Sequence, residues 1–270
     1  MKEILTNKLN KLVTSEEKYN AAREFLQELI LQIMDRRGYF ANLAFVGGTA
    51  LRILHDLPRF SEDLDFCLVN GRGFKFGVLL ANLKKELGLN GFEIEAAREK
   101  ERTVLSEFIR FKGLLFDLGL TRHKSEKLFI KLEIDTKPPA GYRTEIAMVN
   151  KDFLFKVQSY DLPSLFASKL HAFLFRKYAK GRDYYDFLWF LAGKTPVNYE
   201  LLSAAAKQTE GQGYQLDEAS LKQLLIDKIE QTNFPHVLHD ATLFLSRKEE
   251  SQYFKKEYFL AALAKGLPSA

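Results

Sequence analysis

The sequence contains a single cysteine, Cys67, among 270 residues. An internal disulfide framework is therefore excluded, and a reducing cytoplasm is the expected compartment. The first twenty residues, MKEILTNKLNKLVTSEEKYN, lack the continuous apolar segment of a signal peptide. No uncharged stretch reaches the length of about 18 apolar residues that a transmembrane helix needs. We therefore expect neither a membrane-spanning segment nor a membrane partner.

Several familiar catalytic and binding motifs are also absent from the sequence. There are only five histidines, and the pair in HVLH (236–239) has no cysteine or carboxylate at zinc spacing. The sequence has no Walker A loop, no dinucleotide-binding glycine fingerprint and no Ser-His-Asp arrangement. It also has no internal repeat. These absences point away from zinc enzymes, P-loop enzymes and serine hydrolases.

The composition is that of a globular protein with a large, aromatic-rich core. Hydrophobic residues make up 46% of the chain, charged residues make up 28%, and there are 23 phenylalanines. The length fits one large domain or two smaller ones. The net charge of +5 permits a polyanionic partner without requiring one.

The periodicity of apolar residues changes near residue 160. A long helix is predicted at 16–38, capped by Ser15. The other elements predicted before residue 160 are a strand at 43–46, a helix at 49–56, a strand at 63–69, a helix at 76–88, and strands at 92–99, 104–115, 127–136, 144–149 and 153–157. From Asp161 onward the pattern is helical: a helix is predicted at 161–179 with Pro163 in its first turn, a second helix at 182–193, and three or four more towards the C-terminus. The sequence therefore predicts an α/β domain at 1–160 and a helical domain at 161–270, within an α+β fold.

Two aspartates interrupt an apolar run in the segment SEDLDFCLV. Because side chains alternate along a strand, Asp63 and Asp65 share one face, while Leu64 and Phe66 point to the other. Two carboxylates that close repel each other, and a divalent cation removes that penalty. Mg²⁺ prefers such oxygen ligands. The alternative interpretation is the solvent-exposed face of an edge strand.

Two further segments add to this acidic pair. In GGTALRIL, Gly47 and Gly48 open a helix, so their backbone N–H groups and the Thr49 hydroxyl are expected to bind a phosphate. A plain strand–turn–helix connection is the alternative. In KLFIKLEID, one strand face presents the three polar residues Lys131, Glu133 and Asp135. A third carboxylate from this strand, either Glu133 or Asp135, is expected to complete a two-metal site. Here the alternative is an exposed, salt-bridged strand face.

Charged residues after Asp161 form the last candidate group. Lys169, Arg176 and Lys180 recur at helical spacing, which predicts a basic stripe that binds a triphosphate. A solvated helix face is the alternative, although Lys169 lies in an apolar stretch where an unpaired lysine is costly. Taken by itself, Asp183 is expected to cap its helix or to pair with Arg182. Asp186 is expected to pair with Arg176 or Lys180.

These motifs together resemble a known family. The strings GGTALR and RFSEDLDF resemble the signature of the DNA polymerase β-like nucleotidyltransferase superfamily. The fuller R-x-S-x-D-L-D-F pattern, the later KLEID and the helical SLFASKLHAFLFR…GRDYYDF are similar to the AbiEii/AbiGii toxin family, which includes the MenT-type toxins. The matches occur in the family's order between residues 45 and 190. The last 80 residues match no known motif.

The resemblance implies a fold and a reaction. A lobe with a mixed sheet would face a helical lobe, with the active site in the cleft. The implied activity transfers a nucleotide from a nucleoside triphosphate to an RNA, such as the tRNA 3′ end, with Mg²⁺ or Mn²⁺. A cognate antitoxin protein is the implied partner. The expected catalytic residues are Asp63, Asp65, Lys169 and Asp183, and the expected metal ligands are Asp63, Asp65 and Glu133. The expected nucleotide-binding residues are Gly47, Gly48, Thr49, Arg59, Ser61, Lys131, Arg176 and Lys180.

Two alternatives to this reaction remain at the level of the sequence. One is a nucleotidyltransferase fold that only binds a nucleotide or RNA, and the other is transfer to a protein acceptor. The retained carboxylates, glycine pair and Lys169 favour an enzyme. Basic residues that are expected to hold an RNA acceptor are Arg122, Lys124, Lys127, Arg176, Lys177, Lys180 and Arg182.

Overall fold

A computed structural model describes residues 1–95 and 103–267, and it contains both helices and strands. Within these ranges the α-helices are α1 (Lys2–Leu9), α2 (Ser15–Arg36), α3 (Gly47–His55), α4 (Phe76–Leu89), α5 (Leu114–Asp117), α6 (Leu162–Phe175), α7 (Gly181–Ala192), α8 (Tyr199–Glu210), α9 (Glu218–Glu230), α10 (Phe234–Thr242) and α11 (Lys256–Ala264). The strands are β1 (Leu43–Val46), β2 (Leu64–Leu68), β3 (Ile94–Glu95), β4 (Val104–Phe111), β5 (Leu128–Asp135), β6 (Thr144–Asn150) and β7 (Leu154–Tyr160). The predicted α+β class is confirmed.

All of these strands belong to one sheet with the order β3-β4-β5-β2-β1-β7-β6. Strand β2 pairs antiparallel with β1 and parallel with β5, and β4 pairs antiparallel with β5. The sheet is therefore mixed, as expected. In the parallel pair, Asp65 lies opposite Glu133. This register places two of the predicted site residues on neighbouring strands.

Contacts between residues divide the chain into two compact units. The sheet unit comprises Met1–Ala50, Glu62–Pro138 and Ile146–Ser159. The helical unit comprises Leu51–Ser61, Pro139–Glu145 and Tyr160–Ala270. The helical unit thus takes two short segments from the first part of the chain. The division into two domains at residue 160 stays a prediction.

Helix α2 is the main helix of the sheet unit, and it packs against α4 and β5. Its cap is Thr14 rather than the predicted Ser15. The Thr14 hydroxyl accepts a hydrogen bond from the Glu17 N–H at 3.1 Å, and the Glu17 carboxylate accepts one from the Thr14 N–H at 2.9 Å. This reciprocal pair satisfies two N–H groups at the start of the helix. Phe25 of α2 is buried in the core of the unit.

Helices α6 and α7 form the centre of the helical unit, where α6 packs on α7 and α8. The Asp161 carboxylate caps α6 by accepting a hydrogen bond from the Ser164 N–H at 2.9 Å, and Pro163 lies in the first turn, as predicted. The rings of Phe166 and Phe190 stack with their centroids 4.4 Å apart. Gly181 opens α7 against α10, and a Cβ atom at Gly181 would lie 2.2 Å from the Val237 carbonyl oxygen. The close approach of the two helices therefore requires glycine.

Three of the predicted elements differ from the structure. The strand expected at 104–115 ends at Phe111, because Gly113 adopts a left-handed conformation with φ of +64° and α5 follows. In the strand expected at 92–99, the structure has β3 at Ile94–Glu95, and residues 96–99 lie outside the described ranges. The helix expected at 161–179 ends at Phe175, whereas the helix expected at 182–193 is confirmed as α7. Across residues 1–95 and 103–267, no helix combines the length and hydropathy that a bilayer span requires.

Candidate active site

The two aspartates lie at the beginning of strand β2. Asp63 immediately precedes the strand and Asp65 is its second residue, and both are half-buried. The intervening Leu64 and the following Phe66 are buried in the core, as the alternation predicted. Strand β2 lies between β5 and β1 inside the sheet. The alternative of an exposed edge strand is therefore wrong.

Glu133 faces the aspartates from the neighbouring strand β5. It lies opposite Asp65, and its Oε1 atom is 2.8 Å from the Lys131 Nζ atom. Burial lowers the pKa of Lys131, but its hydrogen bond to Glu133 and the charges of Glu133, Asp63 and Asp65 outweigh burial and raise this pKa. The lysine therefore lies in the combined negative field of three carboxylates.

Asp135, the alternative third carboxylate, has a different environment. It is the last residue of β5 and lies opposite Cys67 rather than Asp65. Its Oδ1 atom accepts a hydrogen bond from the Lys137 N–H at 2.9 Å. This local bond occupies the side chain in the turn that follows the strand. The register therefore favours Glu133 as the partner of Asp65.

A glycine turn brings the start of helix α3 against Asp65. Gly47 has a φ of +80°, and a Cβ atom at this position would lie 2.2 Å from the Asp65 Oδ2 atom. Only glycine fits both the left-handed backbone and the close carboxylate. Thr49 is fully buried, and its hydroxyl donates a hydrogen bond to the Asp63 carbonyl oxygen. A threonine hydroxyl has one proton, so Thr49 holds the backbone at Asp63 in this structure, whereas the sequence predicted a bond to phosphate.

The carboxylates are the type of ligand that Mg²⁺ binds, although their side chains are not arranged as a complete metal site. Within residues 1–95 and 103–267, no three or more His, Cys, Asp and Glu side chains are grouped so that they could hold a metal ion. The side chains at this position nevertheless supply only hard oxygen donors, which Mg²⁺ prefers. The ligand set of Asp63, Asp65 and Glu133 stays a prediction that fits the donor chemistry.

The helical unit contains a buried ion-pair network centred on Asp186. The Arg59 guanidinium donates two hydrogen bonds to the Asp186 carboxylate, at 2.5 and 2.7 Å, and the Lys169 Nζ atom lies 2.8 Å from Asp186 Oδ2. Arg59 is 1% exposed and Asp186 is 0% exposed. Burial raises the Asp186 pKa, but the Arg59 and Lys169 charges and hydrogen bonds outweigh it and lower the pKa to about 2. Asp186 is therefore ionised in the folded protein at neutral pH.

This network differs from the pairing that the sequence predicted. Asp186 was expected to pair with Arg176 or Lys180, and it pairs instead with Arg59 and Lys169. The apolar surroundings of Lys169 correctly indicated that this lysine needs a partner. Arg59 was predicted to contact the nucleotide, and the structure gives its guanidinium a buried carboxylate partner. Its nucleotide contact stays a prediction.

The other predicted cations lie between α6 and α7. Arg176 follows the last residue of α6, and its Nη1 atom is 2.6 Å from the buried Asp183 Oδ2 atom. Asp183 lies in the first turn of α7, after Lys180, so the predicted helix cap and the pairing with Arg182 are both wrong. Burial and the charges of Arg182 and Arg176 lower the Lys180 pKa, although Asp183 opposes them. Crowded cations of this kind favour a bound anion.

The predicted common helix face for the basic residues is wrong. Lys169 is in α6, whereas Arg176 and Lys180 belong to the connection between α6 and α7.

The Lys228 Nζ atom donates a hydrogen bond to the Leu174 carbonyl oxygen at 3.0 Å. A lysine that binds a terminal carbonyl stabilises the end of a helix. This contact from α9 stabilises the end of α6.

The sequence analysis did not predict that Asp186 lies at the centre of a buried ion-pair network. An aspartate between Tyr185 and Phe187 on an apolar helix signals a buried charge that needs a partner. The sequence does not show which cation provides it. Ser61, a predicted nucleotide contact, is half-buried two residues before Asp63, and its role stays a prediction.

A cavity of about 710 Å³ lies elsewhere in the helical unit. Its wall includes Tyr185, Trp189, Tyr253 and Phe254, with the Glu250 carboxylate accepting a hydrogen bond from the Tyr185 hydroxyl at 2.7 Å. None of the predicted catalytic, metal-binding or nucleotide-binding residues lines it. Size alone therefore does not identify the site, and the carboxylate geometry remains the better guide.

Comparison with solved structures identifies two that share the fold of this chain. The crystal structure of JHP933 from Helicobacter pylori matches with a TM-score of 0.55 and 19% sequence identity, over 91% of this chain and 92% of that chain. A crystal structure described as a “putative nucleotidyltransferase from H. pylori” matches with a TM-score of 0.52 and 18% identity, over 88% of this chain and 93% of that chain. At such identities the similarity shows a shared fold. No protein of curated function is found to match the chain.

The family comparison covers most of the chain. The family described as “Nucleotidyl transferase AbiEii toxin, Type IV TA system” matches residues 29–263. The matched range includes the glycine turn, the acidic strand β2, the Glu133 strand and the ion pairs of α6 and α7. The chain therefore belongs to the AbiEii nucleotidyl transferase toxin family of type IV toxin–antitoxin systems.

Proposed function

We propose that this protein is a Mg²⁺-dependent toxin that transfers a nucleotide from a nucleoside triphosphate to an RNA acceptor, most specifically the 3′ end of a tRNA. The observation that supports this most directly is the position of Asp65. It lies opposite Glu133, two residues after Asp63, and against a glycine turn that opens a helix. The carboxylates can bind a cation, and the N–H groups at the start of the helix can bind a phosphate within a few ångströms of it.

The proposed reaction is an in-line displacement at phosphorus. The acceptor hydroxyl oxygen forms a bond to the α-phosphorus, the bond from that phosphorus to the bridging oxygen breaks, and pyrophosphate leaves. The hydroxyl proton is lost to solvent or to a carboxylate. A bound Mg²⁺ would supply positive charge that stabilises the attacking and leaving oxygens. Asp63, Asp65 and Glu133 would hold that ion.

The remaining residues have proposed binding roles. The amides at Gly47 and Gly48 donate hydrogen bonds to phosphate oxygens. Arg176 and Lys180 bind phosphates, since an added anion would offset both the burial and the neighbouring cations that lower the Lys180 pKa. We assign Lys169 and Asp183 supporting catalytic roles, although each also has an ion-pair partner in the structure.

The biological setting follows from the family and the substrates. A type IV toxin–antitoxin family implies a cognate antitoxin, and we propose that one exists for this protein. Nucleoside triphosphates and tRNA are cytoplasmic molecules, so we propose that the protein acts in the cytoplasm. Cys67 is buried and forms no disulfide, which suits a reducing compartment.

Label transfer tests the proposal. The protein is incubated with Mg²⁺, total RNA and each of the four α-labelled nucleoside triphosphates, and the labelled product is isolated. We expect label on RNA, with loss of transfer of about 100-fold or more in Asp65→Asn, because this residue would hold the charge-stabilising ion. Asp117→Asn removes an exposed carboxylate that pairs with Lys2 and is the matched control.

A second pair of variants separates the two candidates for the third carboxylate. Glu133→Gln is expected to abolish transfer, whereas Asp135→Asn should retain most of it, because Asp135 is bound to the turn after β5.

Equal activity of Asp65→Asn and the unchanged protein would refute the metal-dependent reaction. Nucleotide binding without any transfer would leave a binding module, and label on protein would identify a protein acceptor.

A further inference from the structure

The sheet face that holds the carboxylates continues into an aromatic and basic surface. The register of β4 and β5 places Ser106 opposite Glu133, Phe108 opposite Lys131, and Arg110 opposite Phe129. Because alternate residues of a strand share a face, these pairs form three successive rows on the face that contains Glu133. Consecutive rows are separated by about 6.6–6.8 Å, the advance of two strand residues. We name Phe108, Arg110, Phe129 and Lys131 the sheet platform.

The platform side chains contact one another through ring faces and edges. The Phe108 and Phe129 rings lie 5.6 Å apart at an angle of 75°. The Arg110 guanidinium lies 5.2 Å from the Phe108 ring centroid, and the Lys131 ammonium lies 5.8 Å from the same centroid. Such contacts fix the orientation of the rings and hold two cations beside them.

Exposure distinguishes the platform from ordinary core packing. The opposite face of the same two strands is buried, with Ile109, Ile130 and Leu132 each 0% exposed. Phe129 in contrast is 44% exposed. The platform cations are only partly exposed, at 35% for Arg110 and 29% for Lys131. An aromatic ring at such exposure has a free surface on which a planar ligand can stack.

We propose that the sheet platform stacks a nucleobase of the RNA strand that is placed at the carboxylates, an inference that rests on the proposed nucleotide transfer. Exposed aromatic side chains on a sheet are a general means of binding unpaired bases, and adjacent cations bind the phosphates between them. Phe129 lies two rows from Glu133, so a base held there belongs to a strand whose end reaches the carboxylates. A protein acceptor would not require this alternation of rings and cations.

The same chemistry has a second source, since the incoming nucleoside triphosphate also contains a base. The experiment therefore measures two affinities separately on the full chain. Fluorescence anisotropy gives the affinity for a labelled single-stranded RNA without nucleotide. Calorimetric titration gives the affinity for a non-hydrolysable nucleoside triphosphate without RNA.

Three variants isolate the stacking contribution. Phe129→Leu keeps apolar volume but removes the ring, Phe129→Trp keeps a ring, and Tyr253→Ala removes a comparably exposed ring (49%) from the helical unit. We expect Phe129→Leu to weaken RNA binding by about 5- to 150-fold, the range for one stacked base. Phe129→Trp and Tyr253→Ala should bind RNA like the unchanged protein. Circular dichroism melts check that each variant is folded.

Salt dependence separates stacking from charge. Phe129→Leu should lower RNA affinity by the same factor at each salt concentration, because the number of phosphate contacts is unchanged. Loss of RNA affinity alone supports stacking of the acceptor strand, and loss of nucleotide affinity alone supports stacking of the incoming base. Unchanged affinities in Phe129→Leu, or equal losses in Phe129→Leu and Phe129→Trp, would overturn the proposal. Transfer by the unchanged protein is scored independently, so absence of transfer refutes the proposed reaction and not the stacking.

Discussion

The environment of Gly47 shows how one residue without a side chain fixes the position of a catalytic candidate. Its φ of +80° is unfavourable for residues with a Cβ atom, and the Asp65 carboxylate occupies the space that a Cβ atom would need. Glycine is thus required for two separate reasons, one in the backbone and one in the contact with Asp65. The two effects can be tested separately, because Gly73, another glycine of the sheet unit, has the left-handed backbone without a close contact.

We predict that Gly47→Ala abolishes nucleotide transfer by displacing Asp65. The matched control is Gly73→Ala, because Gly73 has a φ of +73° but no atom within 4 Å of an added Cβ. Both variants should lose roughly 1–2 kcal/mol of stability from backbone strain. Only Gly47→Ala should also lose transfer, measured with labelled nucleotide. Equal activity of the two variants would show that Asp65 tolerates displacement.

The sequence allowed part of the site to be predicted residue by residue. Alternation of polar and apolar side chains correctly placed Asp63 and Asp65 away from the core. The register that sets Asp65 opposite Glu133 was not predictable, because long-range strand pairing is not encoded by either strand alone. The partner of Asp186 was also hidden, since Arg59 is 127 residues away in the sequence. Local periodicity reports which side chains need burial or a partner, and tertiary packing decides which partner they receive.

At the level of elements, Asp186 joins two helices and a connecting segment. It lies in α7 and binds Lys169 of α6 and Arg59 of the segment that follows α3. Removing one member of such a buried set leaves uncompensated charge, which costs more than the set contributes when it is complete. The end of α6 at Phe175 is another property of packing, because the helical spacing of Lys169, Arg176 and Lys180 continues beyond it.

We predict that Asp186→Asn lowers the free energy of unfolding by about 3–5 kcal/mol at pH 7, because Arg59 and Lys169 lose their counter-charge. Asp183→Asn is the control, since Asp183 is also buried but its partner Arg176 has a side chain that is 36% exposed. Denaturant unfolding of the three proteins measures the difference. A smaller loss in Asp186→Asn than in Asp183→Asn would contradict a central role for the network.

The same variant has a defined pH dependence. The Asp186 pKa is about 2 in the folded protein, against 3.8 for an ordinary aspartate. The unfolded chain therefore takes up the proton first as pH falls, so this stabilisation is present above about pH 4 and is lost towards pH 2. The stability difference between the unchanged protein and Asp186→Asn should shrink over this window. A constant difference down to pH 2 would contradict the lowered pKa.

At the level of the whole molecule, the net charge permits the proposed polyanionic acceptor without requiring one. The net charge of +5 is modest for 270 residues, so the distribution of cations matters more than their number. Arg122 and Lys124 are exposed between α5 and β5. Lys127, in contrast, pairs with Glu95 at 2.7 Å, so its charge is already partly neutralised. Arg122 and Lys124 are therefore the better candidates for contacts with RNA phosphates in this segment.

We predict that tRNA binding weakens between roughly 50 and 200 mM salt, and that the double variant Arg122→Ala/Lys124→Ala has a shallower salt dependence. Each lost phosphate contact reduces the log–log slope by about 0.7 on a single strand, so the double variant should lose about 1.4. Lys84→Ala/Lys85→Ala removes the same two charges from exposed positions on α4 and should leave the slope unchanged if binding is local. Filter binding with nucleotide and Mg²⁺ present provides the measurement. Equal slopes for both double variants would show that only net charge matters, and no binding at low salt would shift the acceptor from RNA to protein.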